Sequence, residues 1–212
     1  MNKPAIDYFN DRADELARQY NALDRAKVHA DLLSMLPEGQ ALKVLDIGAG
    51  SGADAAMFAD RGHTVLACEP AEALRKNGEE TFKNKNIKWS SDVLPEMSAA
   101  SDAAAPFDVI TSVGVLQYVP EENRASSLSK MFSMAARGGF LEVQYPTPAS
   151  REHQFTIKHN EIEKAVEAFN QAAAPNDGID IVMDKLVPDF SGRKALDGSD
   201  LSFRTVILKR RP

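Results

Sequence analysis

Val44-Leu45-Asp46-Ile47-Gly48-Ala49-Gly50-Ser51-Gly52 is the stretch on which the reading of this chain turns. An apolar run carrying a single acid reads as a buried strand, and the three glycines after it allow a tight turn where backbone can approach a ligand closely. A helix following directly, over Ala53 to Arg61, would aim free N–H groups and the positive end of its dipole at that ligand. The stretch therefore predicts a ligand site at the carboxyl end of a buried strand.

Outward from this turn the chain alternates between two periods. Further apolar runs stand at Thr64 to Cys68, Ile87 to Trp89, Phe107 to Val113 and Phe140 to Val143, and read as strands. Helical patterns lie between them: Ala53 to Arg61 closed by Gly62, Ala71 to Asn77 closed by Gly78, and Glu121 to Arg137 closed by Gly138-Gly139. Strand and helix in alternation predict an α/β fold of three layers, a largely parallel sheet covered on both faces. Ser98 to Pro106 and Gln144 to Arg151 read as loops. Ile162, Ala165, Val166, Phe169 and Ala172 share one helix face, and Ile179 to Val187 with Leu201 to Leu208 predict a closing hairpin. At the other end Phe9, Ala13, Leu16, Tyr20 and Leu23 form one stripe of an N-terminal helix, followed by a second helix over Val28 to Leu36. The predicted organisation is a single domain over 1–212: a helical cap (1–37), a ligand-binding core (41–143), and a substrate-side loop, helix and hairpin (144–212).

Composition excludes several classes. The chain has 212 residues, 43% hydrophobic and 26% charged, enough to bury a core without disulfides or a structural metal. One cysteine, Cys68, can make no internal disulfide and leaves a zinc ribbon without ligands, so a reducing, cytoplasmic setting is expected and no metal site. The first residues, with acids at Asp7 and Asp11 and no apolar run, do not read as a signal peptide. No apolar run approaches a membrane span, so no membrane partner is expected. Net charge is −6 with Lys and Arg scattered, so no nucleic acid is expected either. Lys83, Lys85 and Lys88, and the run Lys209-Arg210-Arg211, read as solvated surface. Oligomeric state is not legible.

Two further acids follow two further strands. Glu69 ends the strand after the glycine turn, about twenty residues on, where a carboxylate can accept bonds from both hydroxyls of a ribose. Asp92, after the third strand, can accept from an adenine amino group while the Val93 N–H serves a ring nitrogen. In an open parallel sheet the crevice lies at the carboxyl ends of the strands, so Asp46, Glu69 and Asp92 are expected to converge on one ligand. Gly48, Gly50 and Ala53 also satisfy a dinucleotide fingerprint, and a nicotinamide-dinucleotide oxidoreductase stays open at this point. Asp46 favours the other reading, since its charge would repel a pyrophosphate and accept an ammonium.

From Leu42 to Val143 the ordered set VLDIGAGSG, CEP, SSDVL, FDVITSVGVLQYV and RGGFLEV resembles the class I S-adenosylmethionine-dependent methyltransferases of the small-molecule type. The resemblance implies a Rossmann-like, seven-stranded mixed sheet, mostly parallel with an antiparallel last strand, and an N-terminal helical lid. It implies S-adenosylmethionine as cofactor. Asp46 with Gly48, Ala49, Gly50 and Gly52 would hold its methionine part, Glu69 and Pro70 its ribose, Asp92 and Val93 its adenine, with Ser112 and Tyr20 completing the set.

The acceptor is defined mostly by exclusion. Ser112-Val113-Gly114-Val115 replaces the Asn/Asp-Pro-Pro-Tyr of amide and adenine methylation, Cys68 lies inside a strand and reads as core, and no acid cluster suggests a magnesium site. Leu116-Gln117-Tyr118-Val119 occupies the place where small-molecule enzymes of this class often show His or an aromatic residue. Methyl transfer from a sulfonium is governed by alignment, and a base is optional. Tyr118 and His153 are the candidate catalytic groups, with His159 and Tyr145 behind them, and Tyr8 as an aromatic near the cofactor. Arg12, Arg18 and Arg25 could bind an anionic substrate, but the favoured reading is that they are solvated. The expected activity is direct transfer of a methyl group to an O or N atom of a small-molecule acceptor, carboxylates included. A non-catalytic S-adenosylmethionine-binding protein with a macromolecular partner is the other alternative.

Overall fold

The computed structural model describes residues 3–103, 106–148, 151, 153–158, 160–189, 194–195 and 198–212. The chain enters through four helices, α1 (Lys3–Asp11), α2 (Ala13–Asn21), α3 (Arg25–Val28) and α4 (Ala30–Met35). Strands and helices then alternate: β1 (Lys43–Ile47), α5 (Ala53–Ala59), β2 (Thr64–Cys68), α6 (Glu72–Thr81), β3 (Ile87–Ser90), α7 (Ser98–Ala103), β4 (Phe107–Val113), α8 (Glu121–Met134), β5 (Ala135–Thr147), α9 (Glu161–Ala172), β6 (Ile179–Pro188) and β7 (Ser202–Arg210). One sheet runs β3-β2-β1-β4-β5-β7-β6. The pairs among β1 to β5 are parallel, and β7 inserts antiparallel to both β5 and β6. This is the expected Rossmann-like mixed sheet with its reversed last strand.

Adjacent strand residues face opposite layers, because side chains alternate across a pleated sheet. Leu45, Ile110, Leu141 and Val206 pack with Leu128, Met131 and Phe132 of α8 and with Ile162 and Val166 of α9. Their neighbours Val44, Val109 and Ile207 pack on the other side with Ala55 and Phe58 of α5 and Leu32 of α4. Chain order reverses between β1 and β4: β1 leads to β2 on one side, and β3 returns across to β4 on the other. A crevice opens at the carboxyl ends of strands at such a switch point.

Several sequence readings are corrected. The N-terminal stripe belongs to two helices, since Arg12 leaves helical geometry with φ −117° and ψ 19°. The next stretch is likewise divided, at His29. Ser98 to Pro106 is not a bare loop, because α7 occupies most of it. The helix expected to run to Arg137 stops at Met134, and Gly138-Gly139 lies within β5. Gly78 does not close a helix but sits inside α6, where an added Cβ would lie 2.5 Å from the Trp89 ring and 2.7 Å from the Ser51 carbonyl oxygen. Its role is close packing of a helix on the sheet edge. A β-carbon is what that site cannot hold.

The N-terminal helices are attached in two ways. On α1 and α2, Ala5, Phe9, Ala13, Leu16 and Ala17 pack on Ala71, Leu74 and Tyr118, with the Phe9 and Tyr118 rings edge to face at 5.2 Å. Burying one such aromatic is worth roughly 1.5–3 kcal/mol, so this attachment is apolar and modest. The α3–α4 segment adds buried ionic contacts through Arg25 and His29 to the apolar packing of Leu32 on the sheet.

Candidate active site

The crevice at the switch point is a cavity of about 580 Å³, in the size range of small-molecule sites. Its floor is the turn Gly48 to Ser51, its roof comes from α2 and α3, and its far wall from the segment after β4 and the loop after β5. Gly48, Gly50 and Gly52 have φ of 69°, 57° and 83°, the left-handed region that favours glycine. A Cβ on Gly48 would collide with Val115, and one on Gly50 would meet the Tyr20 ring at 3.5 Å.

The turn's own N–H groups are committed. Gly48 and Ala49 donate to the Cys68 carbonyl at 2.8 and 3.0 Å, and Gly50 donates to Glu69 Oε2 at 2.9 Å. These bonds lash the turn to the end of β2. They also leave those donors without the freedom a pyrophosphate would demand, in line with the sequence reading of Asp46 against a pyrophosphate ligand.

Glu69 is buried and lines the cavity. Oε1 accepts from the Ala71 N–H at 2.8 Å and Oε2 from Gly50, which fixes the carboxylate and leaves each oxygen capacity for another donor. Burial pushes its pKa up to about 7, against the opposing pull of those two bonds.

Asp46 is buried behind the turn, with Oδ1 accepting from Thr111 Oγ1 at 3.0 Å and Oδ2 without a partner. An orphaned buried acceptor costs roughly 1–3 kcal/mol unless something fills it. Burial, then the nearby Asp54 charge, push Asp46 up to about 7.

Beside Asp46 lies a charge network that sequence reasoning missed. Arg25 binds Asp54 through both Nε and Nη2. His29, fully buried, donates Nε2–H to Asp54 at 2.9 Å and Nδ1–H to Glu142. Glu142 also accepts from Gln144 Nε2 at 2.9 Å, and that amide donates to the Val28 carbonyl. Burial opposes the imidazolium, but Glu142 and Asp54 outweigh it and lift His29 to about 10, so it is charged at neutral pH. Burial likewise opposes the Asp54 carboxylate, and Arg25 and His29 reverse that, holding it well below the usual range. Two cations therefore face three carboxylates. The cluster is short of one positive charge at Asp46. Arg25, read from sequence as solvated, is largely buried and lines the cavity instead. Asp54 alone could have been found from sequence, as an acid in the first turn after the glycines. His29 and Glu142 stand 113 residues apart and carry no spacing signal.

The other expected site residues are distributed unevenly. Tyr20 and Tyr118 line the cavity. Tyr20 accepts from Arg151 Nη1 at 3.1 Å, and Tyr118 from Gln154 Nε2 at 3.0 Å. Gly52 caps α5 against Trp89, and Pro70 follows Glu69. Ser112 is buried in β4 off the cavity wall. Of the three acids only Glu69 lines the cavity: Asp46 is buried behind the turn, and the Asp92 carboxylate accepts from the Ala99 and Ala100 N–H groups at 3.3 and 2.7 Å, turned onto the start of α7, while the Val93 carbonyl accepts from Met97. His153 is exposed, with φ 65°, and is not part of the wall. Tyr145 is buried against Arg204, 3.1 Å away, and His159 lies outside the described residues. Cys68 is core, its thiol raised by burial. Gln117, Arg151 and Gln154 complete the wall without having been singled out from sequence as site residues.

A methyltransferase-domain family model matches residues 12–184, and the chain belongs to that family. This decides against the dinucleotide oxidoreductase that the turn alone left open, and S-adenosylmethionine is the methyl donor that goes with the assignment. Among curated relatives, the trans-aconitate 2-methyltransferase of Deinococcus radiodurans is 29% identical over 148 residues, 66% of this chain and 53% of that protein. The tRNA 5-carboxymethoxyuridine methyltransferase of Escherichia coli K12 is 27% identical over 146 residues, 65% of this chain and 55% of that protein. The chain thus spans about half the length of these relatives. In fold it is similar to TehB of Haemophilus influenzae (TM-score 0.67, 19% identity, covering 95% of this chain and 67% of that one). It is also similar to the magnesium protoporphyrin IX methyltransferase of Synechocystis PCC 6803 with bound S-adenosylmethionine (TM-score 0.64, 16% identity, 95% and 84%).

Proposed function

We propose that the chain transfers a methyl group from S-adenosylmethionine to an O or N atom of a small molecule, carboxylate oxygens included. The observation that carries this is the pair of buried carboxylates at the glycine turn, one with an orphaned oxygen and the other with spare acceptor capacity facing the cavity. They fit two of the donor groups of the cofactor. Asp46, beside a cluster lacking one positive charge, suits an ammonium, and Glu69 suits a pair of ribose hydroxyls. Asp92, its carboxylate taken up by the start of α7, carries no part of the proposal.

S-adenosylmethionine supplies a methyl group on a sulfonium whose departure as a thioether requires no acid. The chain's own residues then have to orient and exclude water. The turn gives close approach, Tyr20 and Tyr118 wall the site with aromatic surface, and Phe9 closes it from α1. Positioning of this kind can supply roughly 7–11 kcal/mol of a barrier. Tyr118 is proposed to position the acceptor and not to act as a base, because burial raises its pKa. His153, exposed and off the wall, carries no part of the proposal.

Among the described residues no helix is long and apolar enough to cross a membrane. A cytoplasmic setting is proposed from the single buried thiol. The test is calorimetric titration with S-adenosylmethionine and S-adenosylhomocysteine, followed by transfer of labelled methyl to a panel of small carboxylates, phenols and amines. Micromolar binding with turnover on that panel is expected. A folded protein that binds neither compound overturns the reading.

A further inference from the structure

The cavity contains a cation that nothing in the cofactor reading uses. Arg151, on the loop after β5, lines the wall and is half-buried. Its Nη1 donates to the Tyr20 hydroxyl, and among the described residues no carboxylate lies within ion-pair distance of it. The charged and titratable groups that act on it are phenols, those of Tyr20, Tyr118 and Tyr8. This distinguishes it from Arg25, the other arginine of the wall, whose charge is paired at two points with Asp54. A guanidinium has five N–H donors in a planar fork that matches a carboxylate, and one phenol satisfies only one of them.

The groups around it hold it in place. Its backbone N–H donates to Gln154 Oε1 at 3.2 Å, and the Gln154 amide donates to Tyr118, so Arg151, Gln154, Tyr118 and Tyr20 form one chain of bonds along the wall. Gln117 Oε1, buried in the same wall, is unpartnered. The acids of the wall have other partners: Asp54 is held by Arg25 and His29, and Glu69, held by two backbone N–H groups, is assigned by the cofactor reading to the ribose hydroxyls. The wall thus offers an anion a cation and, among the described residues and beside the cofactor reading, offers a protonated nucleophile no further base.

We infer that Arg151 anchors a carboxylate of the acceptor, and that the substrates are small carboxylic acids. The inference rests on the methyl-transfer reading of the same cavity. Methyl transfer to a carboxylate balances without a base: an oxygen lone pair forms the new O–CH3 bond, the S–CH3 bond breaks with its electron pair remaining on sulfur, and anion plus sulfonium become neutral ester plus neutral thioether. No proton moves. Where the acid has more than one carboxylate, Arg151 holds the one that does not react, since an oxygen engaged by guanidinium is the poorer nucleophile.

The same carboxylate chemistry exists on the cofactor's methionine end, and the experiment separates the two sources. Benzoate, glutarate and tricarballylate are titrated calorimetrically, with their neutral amides as controls, into wild-type protein and into Arg151→Gln and Arg151→Lys, each with and without saturating S-adenosylhomocysteine. S-adenosylhomocysteine itself is titrated into all three. At least one acid should bind wild type tenfold or more tightly than its amide. Arg151→Gln should lose that preference, Arg151→Lys should recover part of it, and the S-adenosylhomocysteine Kd should stay within twofold throughout. Equal binding of acids and amides, no acid binding at all, or a tenfold loss of S-adenosylhomocysteine affinity in Arg151→Gln would each overturn the inference, the last by assigning Arg151 to the cofactor. Acids that bind wild type with no S-adenosylhomocysteine binding would sustain Arg151's role and overturn the cofactor reading instead.

Discussion

The Gly50 N–H donates to Glu69 Oε2 at 2.9 Å, so the turn that would cradle the cofactor and the carboxylate that would hold its ribose are one hydrogen-bonded unit. Glu69→Ala should therefore loosen the turn as well as remove an acceptor. A loss of affinity of at least about tenfold, or ~1.4 kcal/mol, is expected for S-adenosylhomocysteine, measured by calorimetry. Glu69→Gln should lose nearly as much, because its NH2 group would face a backbone N–H.

Asp46 makes a sharper prediction, because it is tuned against the apo protein. Its folded pKa of about 7 lies above the ordinary carboxylate value, so the native state prefers the protonated form. That preference contributes fully below about pH 4 and is lost as pH rises through 7. Asp46→Asn, similar in shape and uncharged, should raise the Tm of the unliganded protein at pH 8 and still weaken S-adenosylmethionine binding by about tenfold or more. Unchanged affinity in a stabilised variant would remove Asp46 from the site.

The same sign governs ligand binding. An ammonium at Asp46 and hydroxyls at Glu69 both select ionised carboxylates, and both groups are held near 7. Affinity should rise between pH 6 and 7.5 with release of protons, detectable as a dependence of the titration heat on the ionisation enthalpy of the buffer. Proton uptake would contradict the assignment.

His29 lies between Asp54 and Glu142, fully buried, and ties the N-terminal helices to the sheet. Its raised pKa means that its contribution is complete below about 6.5 and is lost as pH climbs through about 10. His29→Ala leaves two buried carboxylates short of a cation and should cost about 3–5 kcal/mol in urea denaturation. The double variant with Glu142→Ala should cost less than the sum of the single ones.

Gly78→Ala should destabilise by about 1–3 kcal/mol, because the added carbon meets the Trp89 ring and the Ser51 carbonyl in a packed site. A surface helix position would instead gain from this substitution, so the sign of the change in Tm decides between packing and helix propensity.

Legibility in the sequence followed the range of the interactions. Strand runs such as Thr64–Cys68 and Phe107–Val113 carry their period within a few residues, and both are found with those bounds. The glycine turn and Glu69 were legible because a motif fixes them to adjacent strand ends. Gly78 misled because a glycine after an apolar stripe looks the same whether it ends a helix or admits a tryptophan ring from a strand. Asp92 stood at the right strand end, but helix α7, unread in an Ala- and Ser-rich segment, takes up its carboxylate. The Arg25–Asp54–His29–Glu142 network joins the α3–α4 segment, α5 and β5, three parts distant in the chain that only the fold brings together.

The central claim, that Asp46 and Glu69 at the glycine turn bind S-adenosylmethionine, is tested most directly by titrating that compound into wild-type, Asp46→Ala and Glu69→Ala proteins, each shown folded by circular dichroism. Micromolar affinity in wild type, weakened at least about tenfold in each variant, is the predicted result. Affinity that is absent in folded wild type, or unmoved by either substitution, would contradict it.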